Sequence, residues 1–379
     1  MGEWKKIKLK EVLTEVTERN KNERVKNVLS VTNSQGFVSQ EEYFEGTVHS
    51  QNISNYKIVR KNQFAYNPSR INVGSIDILT AYDEGALSPM YVVFEVDSSK
   101  LLPEYFKYYF QTHRFEENVK NNTQGSVRNS LSFKALSDFD YLLPPIEEQK
   151  HIATILEKVD TIISNITYII KEEKKYMNYI MKKELEINKK MMKLSDLGEI
   201  VTGNTPKTSE IDNYGYDYNW VSPGDLGKNK YIVNTEKKLS KKGFDKSRKI
   251  PKGSIMVTCI GSTIGKIGIA NEMCSTNQQI NSIIIGDSVN NEFIYYAIKY
   301  NFKYFNDYIS NQAVPIINKT VFGNLKIPSK SRKEQEKIAN VLKILDNKIE
   351  NNEKMINLYC LLKKGLMQKL LTGKIRVKI

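Results

Sequence analysis

Cysteine and histidine are scarce in this 379-residue chain: three of the first (Cys259, Cys274, Cys360) and three of the second (His49, His113, His151), widely scattered. That excludes a disulfide framework and the clustered ligands of a zinc site, so no structural metal is expected. Nowhere does the sequence reach the eighteen or so uncharged apolar residues of a membrane span, and its start, MGEWKKIKLKEVL, lacks the apolar block of a signal peptide. A cytoplasmic protein is expected. With 40% hydrophobic residues the chain can still bury real cores, enough for two or three domains.

Catalytic patterns are missing as well. CIGSTIGKIG, from Cys259 to Gly268, has only three residues between Gly261 and Gly265, and Lys266 is followed by Ile267. A phosphate-binding P-loop needs four, then Lys and Ser or Thr. A strand, a glycine-permitted turn and a second strand fit better. YNPSR, Tyr66 to Arg70, is similar to the Asn-Pro-Pro-aromatic motif of amino-methyltransferases, but Ser69 and Arg70 replace its last two residues. It reads as a turn that presents Arg70. No histidine belongs to a recognisable Ser/His/Asp or Cys/His set. No catalytic site is expected.

Positive charge and internal repetition are what the chain has. The net charge of +14 favours a polyanionic partner. It is concentrated between Lys228 and Lys252, where Lys228, Lys230, Lys241, Lys242, Lys246 and Arg248 stand among ten cations against only Glu236 and Asp245.

The repetition is of a whole plan. EEQKHIATILEKVDTII, from Glu147, and KEQEKIANVLKILDNKI, from Lys333, agree at seven of seventeen positions, including Gln149/Gln335 and Asp160/Asp346. KLKEVLTEVT from Lys8 parallels KLSDLGEIVT from Lys193, and YKIVRKNQFAYNP from Tyr56 parallels SRKIPKGSIMVTC from Ser247. NVGSIDIL from Asn72 parallels TIGKIGIA from Thr263; QGSVRNSLSFKALSDFDYLLPP from Gln124 parallels NQAVPIINKTVFGNLKIP from Asn311. The order is domain, helix, domain, helix. Short β-rich runs such as Ile255 to Ile260 and Met90 to Phe94, beside helical aromatic stripes in PEYFKYYFQTHRF and NEFIYYAIKYNFKYF, make each domain α+β, with the aromatics in the core.

From Ile146 to Lys190 there is neither Gly nor Pro, which permits a helix of up to about 45 residues. Pro144 and Pro145 suit its entry, and Glu147 and Glu148 suit the positive end of its dipole. Ser331 and Glu334 form a capping box for the second helix. Ile152, Ile155, Val159, Ile162, Ile166 and Ile169 alternate steps of three and four, as a coiled-coil seam does, until Glu173; Leu342, Leu345, Ile349, Ile356, Tyr359, Leu366 and Leu370 offer a second seam, interrupted by Asn352 and Lys363. The division expected is 1–145, 146–190, 191–328 and 329–379.

These helix heads, together with WVSPGDL, KIPKGSIMVTCIGSTIGKIGIA, TNQQINSI, LSPMYVVFEV and GLMQKLLTGKIRV, resemble the DNA-specificity subunit of type I restriction-modification systems along nearly the whole chain. The resemblance implies two target-recognition domains, each reading half of a split DNA site, separated by two long antiparallel coiled-coil helices in a circular, pseudo-twofold arrangement. It implies double-stranded DNA, two modification (methyltransferase) subunits and restriction (motor-nuclease) subunits as partners. S-adenosylmethionine, ATP and Mg would sit on those partners, none on this non-catalytic chain. Polar loops recurring in both halves then become candidates for DNA contact: Arg70, Asn72, Arg128 and Asn129 in the first, Ser262, Lys266 and Gln312 in the second, beside the basic cluster.

Overall fold

The computed structural model describes residues 3–43, 50–123, 130–187, 190–286, 288–309 and 315–377. They form two compact units, one of Met1–Ile166 with Met355–Ile379 and one of Thr167–Lys354. The unit boundaries therefore fall inside the long helices, Ile146–Leu185 and Arg332–Leu370, and each unit owns the head of one helix and the tail of the other.

In the first unit Lys5–Lys8 pairs antiparallel with Asp140–Leu143, and a 3-10 turn at Leu9–Glu11 follows. Leu9 donates its N–H to the Phe139 carbonyl (3.0 Å), and the Glu11 carboxylate accepts from the Lys8 N–H (2.8 Å). Leu13–Val16 then enters a four-stranded antiparallel sheet, running next to Val92–Val96, Phe64–Tyr66 and Ile76–Ile78 in that order. Against it lie the expected core aromatics: Phe64 meets Phe106 edge-on at 5.7 Å between ring centres, and Phe106 meets Phe110 at 4.8 Å.

The second unit repeats this entry. Met191–Lys193 pairs with Lys326–Pro328, Leu194 donates to the Leu325 carbonyl (2.9 Å), and Asp196 accepts from the Lys193 N–H (2.9 Å). Gly198–Thr202 begins a five-stranded sheet, followed by Ile280–Ile285, Ile255–Thr258, Ile267–Ala270 and, parallel to the last, Tyr231–Ile232. Helix Asn291–Asn301 covers it with Phe293, Ile294, Tyr296 and Ile298, all fully buried.

Backbone conformation repeats where the sequences barely agree. Asn62 (φ 67°) and Gly253 (φ 84°) occupy the same place in the two copies, each donating its N–H at 2.8 Å to the strand opposite, at Leu79 and Ala270. Left-handed backbone is open to Gly and, at small cost, to Asn. Gly74 (φ 90°) and Gly265 (φ 94°) form the next such pair.

Within the first unit Glu148 lies opposite Arg376 and Asp160 opposite Lys363; within the second, Glu173 meets Asn352 and Glu184 meets Lys330. As one number rises the other falls, so the helices run antiparallel. The second helix buries Leu342, Leu345, Ile349 and Leu370 of the seam read from its sequence and half-buries Ile356, Tyr359 and Leu366. In the first, Ile152, Val159 and Ile166 are buried as read, but the alternate column is displaced by one residue: Leu156, Ile170 and Met177 are buried, whereas Ile162 and Ile169 face solvent. A regular heptad of steps four and three runs through Leu156, Ile163 and Ile170, one residue beyond Ile155, Ile162 and Ile169. Glu173 continues that heptad, and its carboxylate accepts from Asn352 Nδ2 at 3.1 Å, so the two polar interruptions satisfy each other.

The capping box at Ser331 forms as expected, with Glu334 accepting from the Ser331 N–H at 2.8 Å. Its twin Glu148 lies in the first turn of its helix, as expected, but is also bound from elsewhere in the chain. Fully buried, it accepts from Arg376 Nε and Nη2 (both 2.7 Å) and from Trp4 Nε1 (2.9 Å). Burial raises its pKa, but the guanidinium and the indole N–H outweigh this and hold it below the ordinary carboxylate value.

Replacing Asn352 alone with Leu strands the Glu173 carboxylate and should lower stability by about 1 kcal/mol or more, whereas E173L/N352L should recover it, as thermal melts would register. Arg376→Ala should lower the melting temperature at neutral pH. A depressed carboxylate stabilises above its unfolded pKa and loses that contribution as pH falls through the folded one, so this difference should shrink on acidification below about pH 4.

Candidate nucleic-acid interface

Each unit builds the same two-segment platform at the end of its sheet. In the first, the segment after Phe64–Tyr66 turns through Asn67–Gly74 before Ile76–Ile78, and Leu131 donates its N–H to the Pro68 carbonyl (3.1 Å). In the second, the segment after Ile255–Thr258 turns through Cys259–Gly265 before Ile267–Ala270, and Ile317 donates to the Cys259 carbonyl (2.8 Å). Pro68 and Cys259 are twins in the repeat, as are Leu131 and Ile317. Each incoming segment then starts a short helix through a side-chain cap, Ser132 accepting from Ala135 N–H and Asn318 from Val321 N–H.

In each copy the turn is thus bonded to the residue that leads into the short helix. Arg70 and Asn72 are exposed around the 3-10 turn Ile71–Val73, and Arg70 borders a cavity of about 300 Å³ with Thr32, Asn33, Ser75 and Tyr91. The hairpin turn carrying Asn33, between Leu29–Thr32 and Gly36–Ser39, escaped the sequence reading. Ser262 is exposed at the tip of its turn, and the Lys266 stem lies against Gly227, where a Cβ would come within 3.2 Å of Lys266 Cγ. The reading of CIGSTIGKIG as strand, turn and strand holds. Burial pushes the Cys259 thiol up to about 12, so it stays protonated and unreactive. Arg128, Asn129 and Gln312 lie outside the described residues.

The basic cluster is less free than its count implies. Lys242 meets Asp212 at 3.1 Å and Lys246 meets Glu210 at 2.6 Å, acids that fold in from outside the stretch, while Lys241 meets Asp245 at 2.8 Å. These pairs are exposed, hold little energy and can exchange for phosphate. Arg248 donates to the Thr202 carbonyl at 2.6 Å and is partly spent on the backbone. Lys228 is exposed.

Lys230 is a correction. Its side chain is only 9% exposed, and its ammonium lies 3.0 Å from Glu292 and 3.4 Å from Asp346. A cation held there cannot reach a DNA backbone.

The helix heads carry the contacts that fasten each domain. Gln149 accepts from the Leu102 N–H (2.8 Å) and donates to the Lys100 and Pro144 carbonyls. Gln335 accepts from the Asn290 N–H (2.8 Å) and donates to the Lys330 carbonyl. Tyr108 donates to Asp160 (2.8 Å) and Tyr296 to Asp346 (3.0 Å); burial first, then the carboxylate, raises both phenol pKa values. Among the described residues no group of His, Cys, Asp and Glu could hold a metal ion, and no helix is long and apolar enough to cross a membrane.

Two α+β domains thus repeat one plan, each fastened to the head of one long helix. The family profile described as the type I restriction modification DNA specificity domain matches residues 1–174 and again 186–358, and the chain belongs to that family. Among similar proteins is the type I restriction enzyme MjaIX specificity subunit of Methanocaldococcus jannaschii, 34% identical over 168 residues, 43% of this chain and 39% of that protein. The HindI specificity subunit of Haemophilus influenzae is 34% identical over 171 residues, 42% of this chain and 37% of that one. The chain therefore spans under two-fifths of the length of each of these two relatives. The MjaVIII specificity subunit of M. jannaschii is 28% identical over 326 residues, 78% of this chain and 75% of that one. The fold resembles the crystal structure of a type I restriction-modification S subunit from M. genitalium, with a TM-score of 0.59 at 14% identity over 99% of this chain and 96% of the other. It also resembles a chain from a structure addressing complex assembly and conformational transition of the type I R-M system, with a TM-score of 0.57 at 13% identity over 99% of both.

Neutralising Lys241, Lys242, Lys246 and Arg248 together should weaken binding to all DNA sequences alike and flatten the salt dependence by about three units, since each phosphate contact contributes nearly one. DNA titrations at several salt concentrations would measure it. An unchanged slope would assign the cluster to a solvated face.

Proposed function

We propose that this chain is the non-catalytic DNA-reading subunit of a type I restriction-modification complex, each platform reading one half of a split target. The duplicated frame carries the reading: the same hydrogen bond, Leu131 to Pro68 and Ile317 to Cys259, recurs beside the turn of each unit while the turn sequences differ. Different loops on one frame suit two unrelated half-sites. Arg70, Asn72, Ser262 and Lys266 are the described residues proposed to meet DNA, with phosphate grip from Lys228, Lys241, Lys242, Lys246 and Arg248. Base discrimination is worth about 1 to 3 kcal/mol per good contact, so alanine at Arg70 should degrade one half-site only.

The proposed partners are two modification subunits, carrying S-adenosylmethionine, and motor-nuclease subunits, carrying ATP and Mg, all in the cytoplasm. Two copies of a partner suit the helix surfaces. Met355 and Leu362 in the first unit are repeat twins of Ile169 and Tyr176 in the second, and all four large apolar side chains are exposed. Each unit thus carries an equivalent apolar patch on a helix tail, of the kind that marks an interaction site.

Co-expression with a modification subunit and sequencing of the methylated bases tests the proposal. The expected outcome is a stable complex and a split target with a spacer of fixed length; a chain that binds DNA yet never associates would be a free-standing regulator. Inserting four residues in each helix where Glu173 meets Asn352 adds about 6 Å and should lengthen the spacer by one or two base pairs, leaving both half-sites intact.

A further inference from the structure

Lys230 needs a role once DNA contact is removed. It closes the loop that follows Asp225, whose carboxylate accepts from Ser222 N–H (2.9 Å) and Glu236 N–H (2.9 Å) and so pins the loop's base. Gly227 (φ 86°) sits against the Lys266 stem, which ties the loop to the proposed DNA-reading turn. The Lys230 carbonyl accepts from the Ile269 N–H at 2.7 Å, locking the residue to a sheet strand. Its side chain reaches the other way, to Asp346 on the long helix.

The groups around the ammonium come from several elements. Glu292 from the domain's own helix and Asp346 from the long helix supply negative charge, Lys343 at 3.2 Å shares Glu292, Tyr231 donates to Glu292, and the Tyr296 oxygen lies 3.0 Å from Nζ. Two carboxylates and two cations nearly balance. Desolvation cancels much of the energy of such a set, so its role here is to hold position more than to add stability. The first unit is built otherwise. There the cation on Asp160 is Lys363, from the second long helix and not from the recognition domain; the domain's own ion pair, Lys107 with Glu157, is more exposed.

We propose that Lys230 is the positioning residue that fixes the DNA-facing turn of the second domain to the long helix, and thereby sets how strictly the spacer length is read. The proposal rests on the DNA-reading function above. Removing this lysine relaxes the spacer and leaves both half-sites unchanged.

The test compares wild type, K230M, K230R and D346N, each in complex with its modification subunits, by mapping methylated sites. K230M and D346N should methylate targets whose spacer is one base pair too long or short about tenfold more often, the scale of one charge-assisted hydrogen bond, with both half-sites retained. K230R should restore strictness, because a guanidinium can span both carboxylates. The salt slope of DNA binding should not change in K230M. Unchanged strictness in K230M, an altered half-site, or a slope lower by nearly one unit, which would make Lys230 a phosphate contact, overturns the proposal. If K230M fails to assemble, D346N, which keeps Glu292 as a partner, decides on the same readout. If wild type modifies no split target, the DNA-reading function itself fails. Hydrogen exchange then judges the latch alone: faster exchange at residues 226–232 and 343–350 in D346N upholds it, and unchanged exchange overturns it.

Discussion

An apolar stripe forty residues long cannot remain in water; this chain hides it partly in the antiparallel seam between the two long helices and partly against a domain core, where Ile152 and Leu156 join Phe106 and Tyr141. Everything else hangs on that seam. Because each helix gives its head to one unit and its tail to the other, a domain is fastened to a helix head that is already paired with a helix from the distant part of the chain. The fastening is polar and buried at Gln149 and Gln335, each satisfying a domain N–H and one or more carbonyls, so every partner would be left unpaired if the amide were lost.

Duplication explains why the same letters recur, but physics decides what each does. Gln149 and Gln335 keep one job. Asp160 and Asp346 keep half of theirs: both accept from a tyrosine, yet one takes its ammonium from the opposite helix and the other from a recognition domain. Glu148 and Glu334 share a place in the first turn of their helices and differ in their partners. The Trp4 indole and the Arg376 guanidinium close over the first and make it a buried anchor; Ser331 turns the second into an exposed cap. Which polar groups arrive from elsewhere in the chain is a tertiary fact, invisible to an alignment of the two helices.

Local signals were legible for the same reason that these were not. The capping box and the glycine turn after Cys259 depend on neighbours within a few residues, and both form. The doubled plan was legible because turn positions such as Asn62 and Gly253 constrain backbone angle and not side-chain chemistry. Counting charge between Lys228 and Lys252 failed where distant residues intervene: Glu210 and Asp212 fold against it, and Glu292 and Asp346 bury Lys230. The half-site sequences are not legible at all, because base reading depends on groove geometry that no loop sequence carries alone.

The seam misreading in the first helix has a cause of its own. Ile155, Ile162 and Ile169 run one residue ahead of Leu156, Ile163 and Ile170, so two apolar stripes lie side by side and either satisfies the heptad spacing. One faces the second helix; Ile162 and Ile169 remain exposed, with Tyr168, Tyr176 and Tyr179 further along. An intramolecular pair needs only one stripe, and leaving a second in water invites aggregation. Its persistence at twin positions of the other helix, Met355 for Ile169 and Leu362 for Tyr176, fits a surface covered in each unit by a copy of one partner. The ambiguity that misled the phase assignment is therefore that of two apolar stripes on one helix, the second of which the proposed partner would cover.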